Sequence, residues 1–103
     1  MDASEGLPSL EGFARAREHG REEKRIVESI YAKTGLDEGR LYTLIHSKAG
    51  ALFAERIAET PPESPDENVD IYCGSYLEVL QDLEKMSRDD IEAEIAFGLL
   101  TWQ

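Results

Sequence analysis

The side chains suited to acid–base, nucleophilic or metal chemistry are few in this chain of 103 residues. His19 and His46 lie in different segments, and neither has another histidine or a cysteine at the three- or four-residue spacing that presents two ligands on one helix face. Cys73 is the single cysteine, so it forms no internal disulfide. We expect it to be a buried structural residue and His46 to be a partly buried, hydrogen-bonded one. Ser9, Ser75 and Ser87 are typical of helix caps, and none lies in a glycine-flanked nucleophile turn.

Carboxylates are the other candidates, since paired acids bind magnesium in several helical enzymes. The acids of the second half come in close pairs: Asp82 and Glu84, Asp89 and Asp90, Glu92 and Glu94. A magnesium site needs pairs three or four residues apart on two facing helices. Glu78 with Asp82 and Asp89 with Glu92 have that spacing, but the pairs are scattered. The second pair lies in a first helical turn, where the helix dipole favours acids. The sequence therefore predicts no cofactor, no metal and no enzymatic activity.

The distribution of charge is the most informative feature of the chain. Residues 1–56 carry 10 acidic and 9 basic side chains, whereas residues 57–103 carry 12 acidic residues against Lys85 and Arg88. The second half therefore has a net charge of −10. Such a surface repels nucleic acid and attracts basic surfaces.

Helical periodicity predicts the elements that carry these side chains. The clearest helix runs from Asp37 to Glu59, with apolar residues at spacings of three and four. A helix over 22–33 precedes it, separated by Gly35. Upstream, Ser9 can cap a segment with Leu10 and Phe13, followed by a highly charged arm that Gly20 can divide. A third helix follows residue 70, and Ser87 with Asp90 forms a capping box for a shorter fourth helix bearing Ile91, Ile95, Leu99 and Trp102.

The predicted fold is all-α: a small bundle of three core helices plus a shorter C-terminal helix, with a charged N-terminal helical arm. Residues 1–8 are predicted to be a flexible tail and residues 9–103 a single domain. The segment 59–70 contains three prolines and five acids, so we expect an extended, mobile loop. No apolar run approaches the roughly 18 residues of a membrane span, and no secretion signal is evident, which predicts a cytoplasmic location.

Two short stretches resemble known families. The run IHSKAGALF, Ile45 to Phe53, resembles a helix of trans-prenyltransferases such as farnesyl diphosphate synthase, which would place Lys48 towards a substrate diphosphate. The run has Ala49 where that family usually has threonine. The resemblance covers about nine residues, and the chain lacks both aspartate-rich metal motifs of that family, so we assign no membership.

Residues 30–42, IYAKTGLDEGRLY, are similar to the turn and recognition helix of many bacterial helix-turn-helix regulators. The similarity implies DNA contacts from Arg40, Thr43 and Lys48. However, Asp37 and Glu38 would open the recognition helix with charges like those of the phosphates. A regulator of this kind is therefore an alternative and not the favoured interpretation.

The favoured function is a small acidic interaction module, of the inhibitor, immunity-type, adaptor or nucleic-acid-mimic kind, that binds a basic surface of a partner protein. The alternative from another class is a non-catalytic accessory subunit of an enzyme complex. The predicted partner-binding residues are acids of the loop and the last two helices, with two apolar residues of the arm: Glu63, Asp66, Glu67, Asp82, Asp89, Asp90, Glu92, Glu94, Leu10 and Phe13.

Leu10 and Phe13 have no evident place in the core, so we expect them to dock onto a partner or onto a second protomer in a homodimer. Deleting residues 1–20 should then weaken association and leave the melting temperature largely unchanged.

Overall fold

The computed structural model describes residues 7–101, with side chains through Phe97. The fold is all-α, with helices α1 (Leu10–Thr34), α2 (Glu38–Glu59), α3 (Pro65–Lys85) and α4 (Arg88–Thr101). The prediction of three core helices and a shorter fourth is confirmed. Residues 1–6 of the predicted tail and Trp102 lie outside the described residues, as does the side chain of Leu99.

α1 is one continuous helix of 25 residues, and the predicted charged arm is its N-terminal half. It begins where the Ser9 hydroxyl accepts a hydrogen bond from the Gly12 N–H at 3.1 Å, the usual N-cap interaction. Gly20 does not divide it. The helix ends at Gly35, whose φ of 65° is left-handed and whose N–H donates to the Tyr31 carbonyl at 2.7 Å. Glycine adopts this conformation without a steric penalty, so the chain turns sharply into α2.

α3 begins earlier than the sequence predicted. The Ser64 hydroxyl accepts from the Glu67 N–H at 3.1 Å, and Pro65 occupies the first turn, where its missing N–H has no helical partner to lose. Asp66 and Glu67 also lie in that turn, where the helix dipole favours acids. The predicted loop over 59–70 is therefore wrong in its second half, because residues 65–70 are helical and only residues 60–64 connect α2 to α3.

α3 is the central helix, since both α1 and α2 pack along it. α1 runs parallel to α3: Ser9 meets Asp66 at one end, and the Lys33 ammonium donates to the carbonyls of Glu84 and Met86 at the other, both at 2.8 Å. α2 runs antiparallel to α3, because Phe53 lies against Tyr72 and His46 against Tyr76. α1 and α2 are therefore held together mainly through α3.

The buried core lies where these three helices meet the start of α4. The predicted apolar stripe of α2 is buried at Leu41, Leu44, Ile45 and Ala49. α4 begins with the Ser87 hydroxyl accepting from the Asp90 N–H at 3.2 Å, and Ile91 in its first turns is fully buried. The other buried apolar members of the core are Ile26, Val27, Ile30, Leu36, Tyr76, Val79, Leu80 and Leu83. Within residues 7–101, no helix has both the length and the apolar character needed to cross a bilayer.

Candidate protein-binding surface

Cys73 and His46 differ in burial. Cys73 is buried, as predicted, and burial raises the pKa of its thiol, with smaller contributions from the charges of Glu23 and Asp70. His46 is exposed and not partly buried as expected. Its ring stacks on Tyr42 and meets Tyr76 edge-on, with ring centroids 6.0 and 5.5 Å apart. Among the described residues, no three His, Cys, Asp or Glu side chains come close enough together to hold a metal ion.

An aromatic strip continues from these rings along the contact between α2 and α3. Phe53 meets Tyr72 edge-on at 5.4 Å, and Tyr72 lies 6.2 Å from Tyr76. Tyr76 is buried, and burial, with a smaller effect of the Glu23 charge, raises the pKa of its hydroxyl to about 12. These contacts align α2 with α3, and Tyr42 and Tyr72 remain partly exposed to solvent.

Acids at the start of α3 are bound by the N-terminal half of α1. The Asp66 carboxylate accepts from the Ser9 N–H and from the Ser9 hydroxyl, each at 2.6 Å, and these bonds lower its pKa. The Arg15 guanidinium donates to both oxygens of Asp70, at 3.2 and 3.3 Å. Two-point contacts between arginine and a carboxylate fix geometry as well as charge. Asp66, a predicted partner-binding residue, therefore holds the arm.

Further acids of the second half are also paired within the molecule. The Arg56 guanidinium contacts Glu78. The Lys48 ammonium lies 3.1 Å from Glu94, and Arg88 lies 3.5 Å from Glu92, one turn further along α4. Glu94 and Glu92, two of the predicted partner-binding acids, are thus each paired with a basic side chain. Glu67 is likewise engaged locally, because its carboxylate accepts from the Glu63 N–H at 3.1 Å.

Three predicted residues remain exposed and unpaired near the junction of α3 and α4. Asp82 lies on the last turns of α3, and Asp89 and Asp90 lie on the first turn of α4. In the part of the chain that the structure describes, no basic side chain comes within salt-bridge distance of these three carboxylates. We call Asp82, Asp89 and Asp90 the acidic junction. Glu63, in the connection between α2 and α3, is also exposed.

A shallow groove between α2 and α3 adjoins the acidic junction. Its volume is about 330 Å³. Its lining is mainly apolar, with one acid from each helix and one lysine: Ala51, Leu52, Val79, Leu83, Met86, Glu55, Asp82 and Lys48. Sequence reasoning missed Glu55 because it belongs to the nearly neutral half of the chain. Its position three residues after Leu52 on a helix with an apolar stripe is the signal that places it at the edge of that stripe.

The two apolar arm residues are exposed, with 88% of Leu10 and 48% of Phe13 accessible to solvent. They lie in the first turn of α1, beside the Ser9–Asp66 contact, and far along the chain from the acidic junction. Asp82 thus lies on one side of the α3–α4 connection and Asp89 and Asp90 on the other, whereas Leu10 and Phe13 lie on α1. No family model, no curated protein and no solved structure matches this chain.

Proposed function

We propose that this protein is a small acidic interaction module that binds a basic surface of a partner protein through the acidic junction. The single observation that carries the proposal is that only some acids of the second half form ion pairs with basic side chains. Basic side chains of the first half neutralise Asp66, Asp70, Glu78 and Glu94, whereas Asp82, Asp89 and Asp90 stay exposed. Like charges displayed together steer a basic partner during encounter and favour it over acidic competitors.

The local alternative is that Asp89 and Asp90 only stabilise the first turn of α4. That explanation applies to both residues, but it does not apply to Asp82, which lies towards the C-terminal end of α3. A negative charge there opposes the helix dipole. An acid at such a position is explained better by a role outside the helix, which favours the interaction proposal.

The test is co-purification of partners with the wild-type chain and with two matched triple variants. One variant carries Asp82→Asn, Asp89→Asn and Asp90→Asn. The control carries Glu18→Gln, Glu28→Gln and Glu38→Gln, which remove the same charge from exposed positions on α1 and α2. Proteins retained at about 0.05 M salt and released at about 1 M salt, where the Debye length is only about 3 Å, are quantified by mass spectrometry.

We expect basic proteins to be retained by the wild type and the control variant and to be lost by the junction variant. Equal loss from both variants would show that only net charge matters, and the proposal would then be rejected. Retention of the same proteins at about 1 M salt would also contradict it, since long-range attraction between charges is screened under those conditions.

A further inference from the structure

The groove between α2 and α3 is an apolar surface with defined ends. At one end the Lys48–Glu94 ion pair joins α2 to α4. At the other, Arg56 contacts Glu78 and donates to the Ser75 hydroxyl at 3.4 Å. The stretch of α2 between these ends, residues 48–55, covers about two helical turns, or about 10 Å.

The floor of the groove is only partly covered by the protein itself. Val79 and Leu83 are buried beneath it, whereas Leu52 and Met86 are half-buried and Ala51 is exposed. After Met86 the chain turns, and Glu94 of α4 pairs with Lys48 at this end of the groove. Among the side chains that the structure describes, none from α4 lines the groove. Apolar side chains thus border on water between the two ends of the groove.

The rims of the groove carry negative charge from both helices. Glu55 on α2 and Asp82 on α3 are exposed, and neither has a basic side chain within 4.0 Å among the described residues. Of the described residues that line the groove, Lys48 alone is basic, and Glu94 already pairs with it. A ligand complementary to this surface is apolar along its centre and basic along both edges.

We propose that this groove binds a basic amphipathic helix of the partner protein, with two or three apolar side chains on the Leu52–Met86 floor and Lys or Arg side chains beside Glu55 and Asp82. The inference rests on the proposed function and specifies its partner. An amphipathic helix presents apolar residues at i, i+3, i+4 and i+7 and polar residues on either side. Docking of such a helix into an apolar groove is a recurrent mode of recognition.

The probe is a synthetic Leu/Lys peptide of about 18 residues whose leucines share one helix face. A scrambled peptide of the same composition, with leucines distributed around the helix, is its control. Binding is measured by fluorescence anisotropy at about 0.05 M salt, and the site is mapped by amide chemical shifts of the labelled protein.

Three protein variants accompany the wild type. Glu55→Gln with Asp82→Asn removes the rim charges, and Ala51→Gln introduces a bulkier side chain at an exposed position of the groove. Glu18→Gln with Glu28→Gln removes the same charge from α1. All of these positions are exposed, so circular dichroism should show unchanged helicity.

We expect the amphipathic peptide to bind at least about tenfold more tightly than the scrambled one, and both groove variants to weaken it by about tenfold or more. The α1 control should bind like the wild type, and shifts should centre on residues 48–55 and 79–86. This result supports both proposals.

Two other results overturn the groove assignment in distinguishable ways. Equal binding of both peptides, lost in the Asp82, Asp89 and Asp90 variant and kept by Ala51→Gln, would leave the acidic junction as the binding surface without a helix in the groove. Failure of both peptides to bind, or equal weakening by the groove variants and the α1 control, would reject the proposed function together with the groove.

Discussion

Gly12 allows the start of α1 to lie directly against α3. A Cβ atom at this position would stand 2.5 Å from one oxygen of Asp66 and 2.8 Å from its carboxyl carbon. That carboxylate cannot withdraw without giving up its two bonds to Ser9. Gly20 differs, because a Cβ there would meet nothing within 4 Å. The two glycines of the same helix therefore serve as a matched pair.

We predict opposite effects of alanine at these two positions. Gly20→Ala should raise the free energy of unfolding by about 0.5–1 kcal/mol, the usual gain in a helix interior. Gly12→Ala should lower it, because the new methyl group displaces Asp66 from Ser9. Urea unfolding of both variants measures the difference. In an Asp66→Ala background the conflict is absent, so Gly12→Ala should then be stabilising; a destabilising effect that persists there would disprove the contact as its cause.

Glu23 is a half-buried acid on α1 that faces Cys73 and Tyr76. Burial raises the pKa of its carboxyl group, and His19 offsets this only in part. The folded protein therefore holds this proton at pH values where the unfolded chain has released it. The stability gained from the protonated form is complete below the unfolded pKa of about 4.3 and is lost as the pH rises through the folded pKa.

Glutamine imitates the protonated form, so we predict that Glu23→Gln stabilises the protein near pH 7 and that the advantage over the wild type disappears below about pH 4. Thermal unfolding across this pH range measures the effect. Glu28→Gln, at an exposed position five residues further along α1, is the control for the change in net charge. If it stabilises as much as Glu23→Gln, burial of Glu23 is not the cause.

At the scale of elements, local sequence signals predicted most of the fold. The spacing of Leu41, Leu44, Ile45 and Ala49 predicted the buried face of α2, and Gly35 and Ser87 predicted a helix end and a helix start. These signals act within one or two turns, so they are readable from the sequence. The start of α3 was missed because a proline followed by acids, here Pro65, Asp66 and Glu67, is typical of loops as well as of first helical turns.

The docking of the charged arm depends on contacts between residues far apart in sequence. Arg15 meets Asp70, which lies 55 positions later, and no local pattern pairs these two residues. The same limit applies to the candidate surface: the sequence indicated the acidic half but could not tell paired acids from free ones. No sequence pattern tells which of Glu94 and Asp82 is paired, and only the packing of α4 on α2 shows that Lys48 pairs with Glu94.

This docking reverses our sequence-based expectation for the N-terminal truncation. Deleting residues 1–20 removes Ser9 and Arg15, and with them the contacts to Asp66 and Asp70. We therefore predict a melting temperature lower by at least about 5 °C, since about 1 kcal/mol shifts the midpoint of a domain this small by about 4–8 °C. Differential scanning calorimetry measures it. Leu10→Ser with Phe13→Ser is the control, because it changes exposed side chains and keeps the polar contacts. An unchanged midpoint for the truncated chain would show that the arm does not contribute to the stability of the fold.

On the scale of the whole molecule, acids are paired with basic side chains in some regions and are in excess in others. The molecule extends over 50 × 29 × 20 Å, so its long axis exceeds the Debye length of about 10 Å at 0.1 M salt several times over. Distant basic residues therefore do not neutralise the acidic junction. The described residues contain seven ion pairs, against a net charge of −11 for the chain. Repulsion among the surplus acids should exceed the attraction within exposed pairs, each worth about 0–1 kcal/mol.

We predict from this balance that salt stabilises the fold. The unfolding midpoint should rise when NaCl is increased from about 0.02 to about 0.5 M, because screening weakens the net repulsion more than the short-range pairs. The variant with Asp82→Asn, Asp89→Asn and Asp90→Asn provides the decisive comparison: with three fewer surplus charges, its midpoint should rise less with added NaCl than that of the wild type. A midpoint that falls with salt would mean that attraction within the ion pairs between α1, α2 and α3 exceeds repulsion among the surplus acids. If the variant has the same salt response as the wild type, the repulsion arises from acids outside the acidic junction.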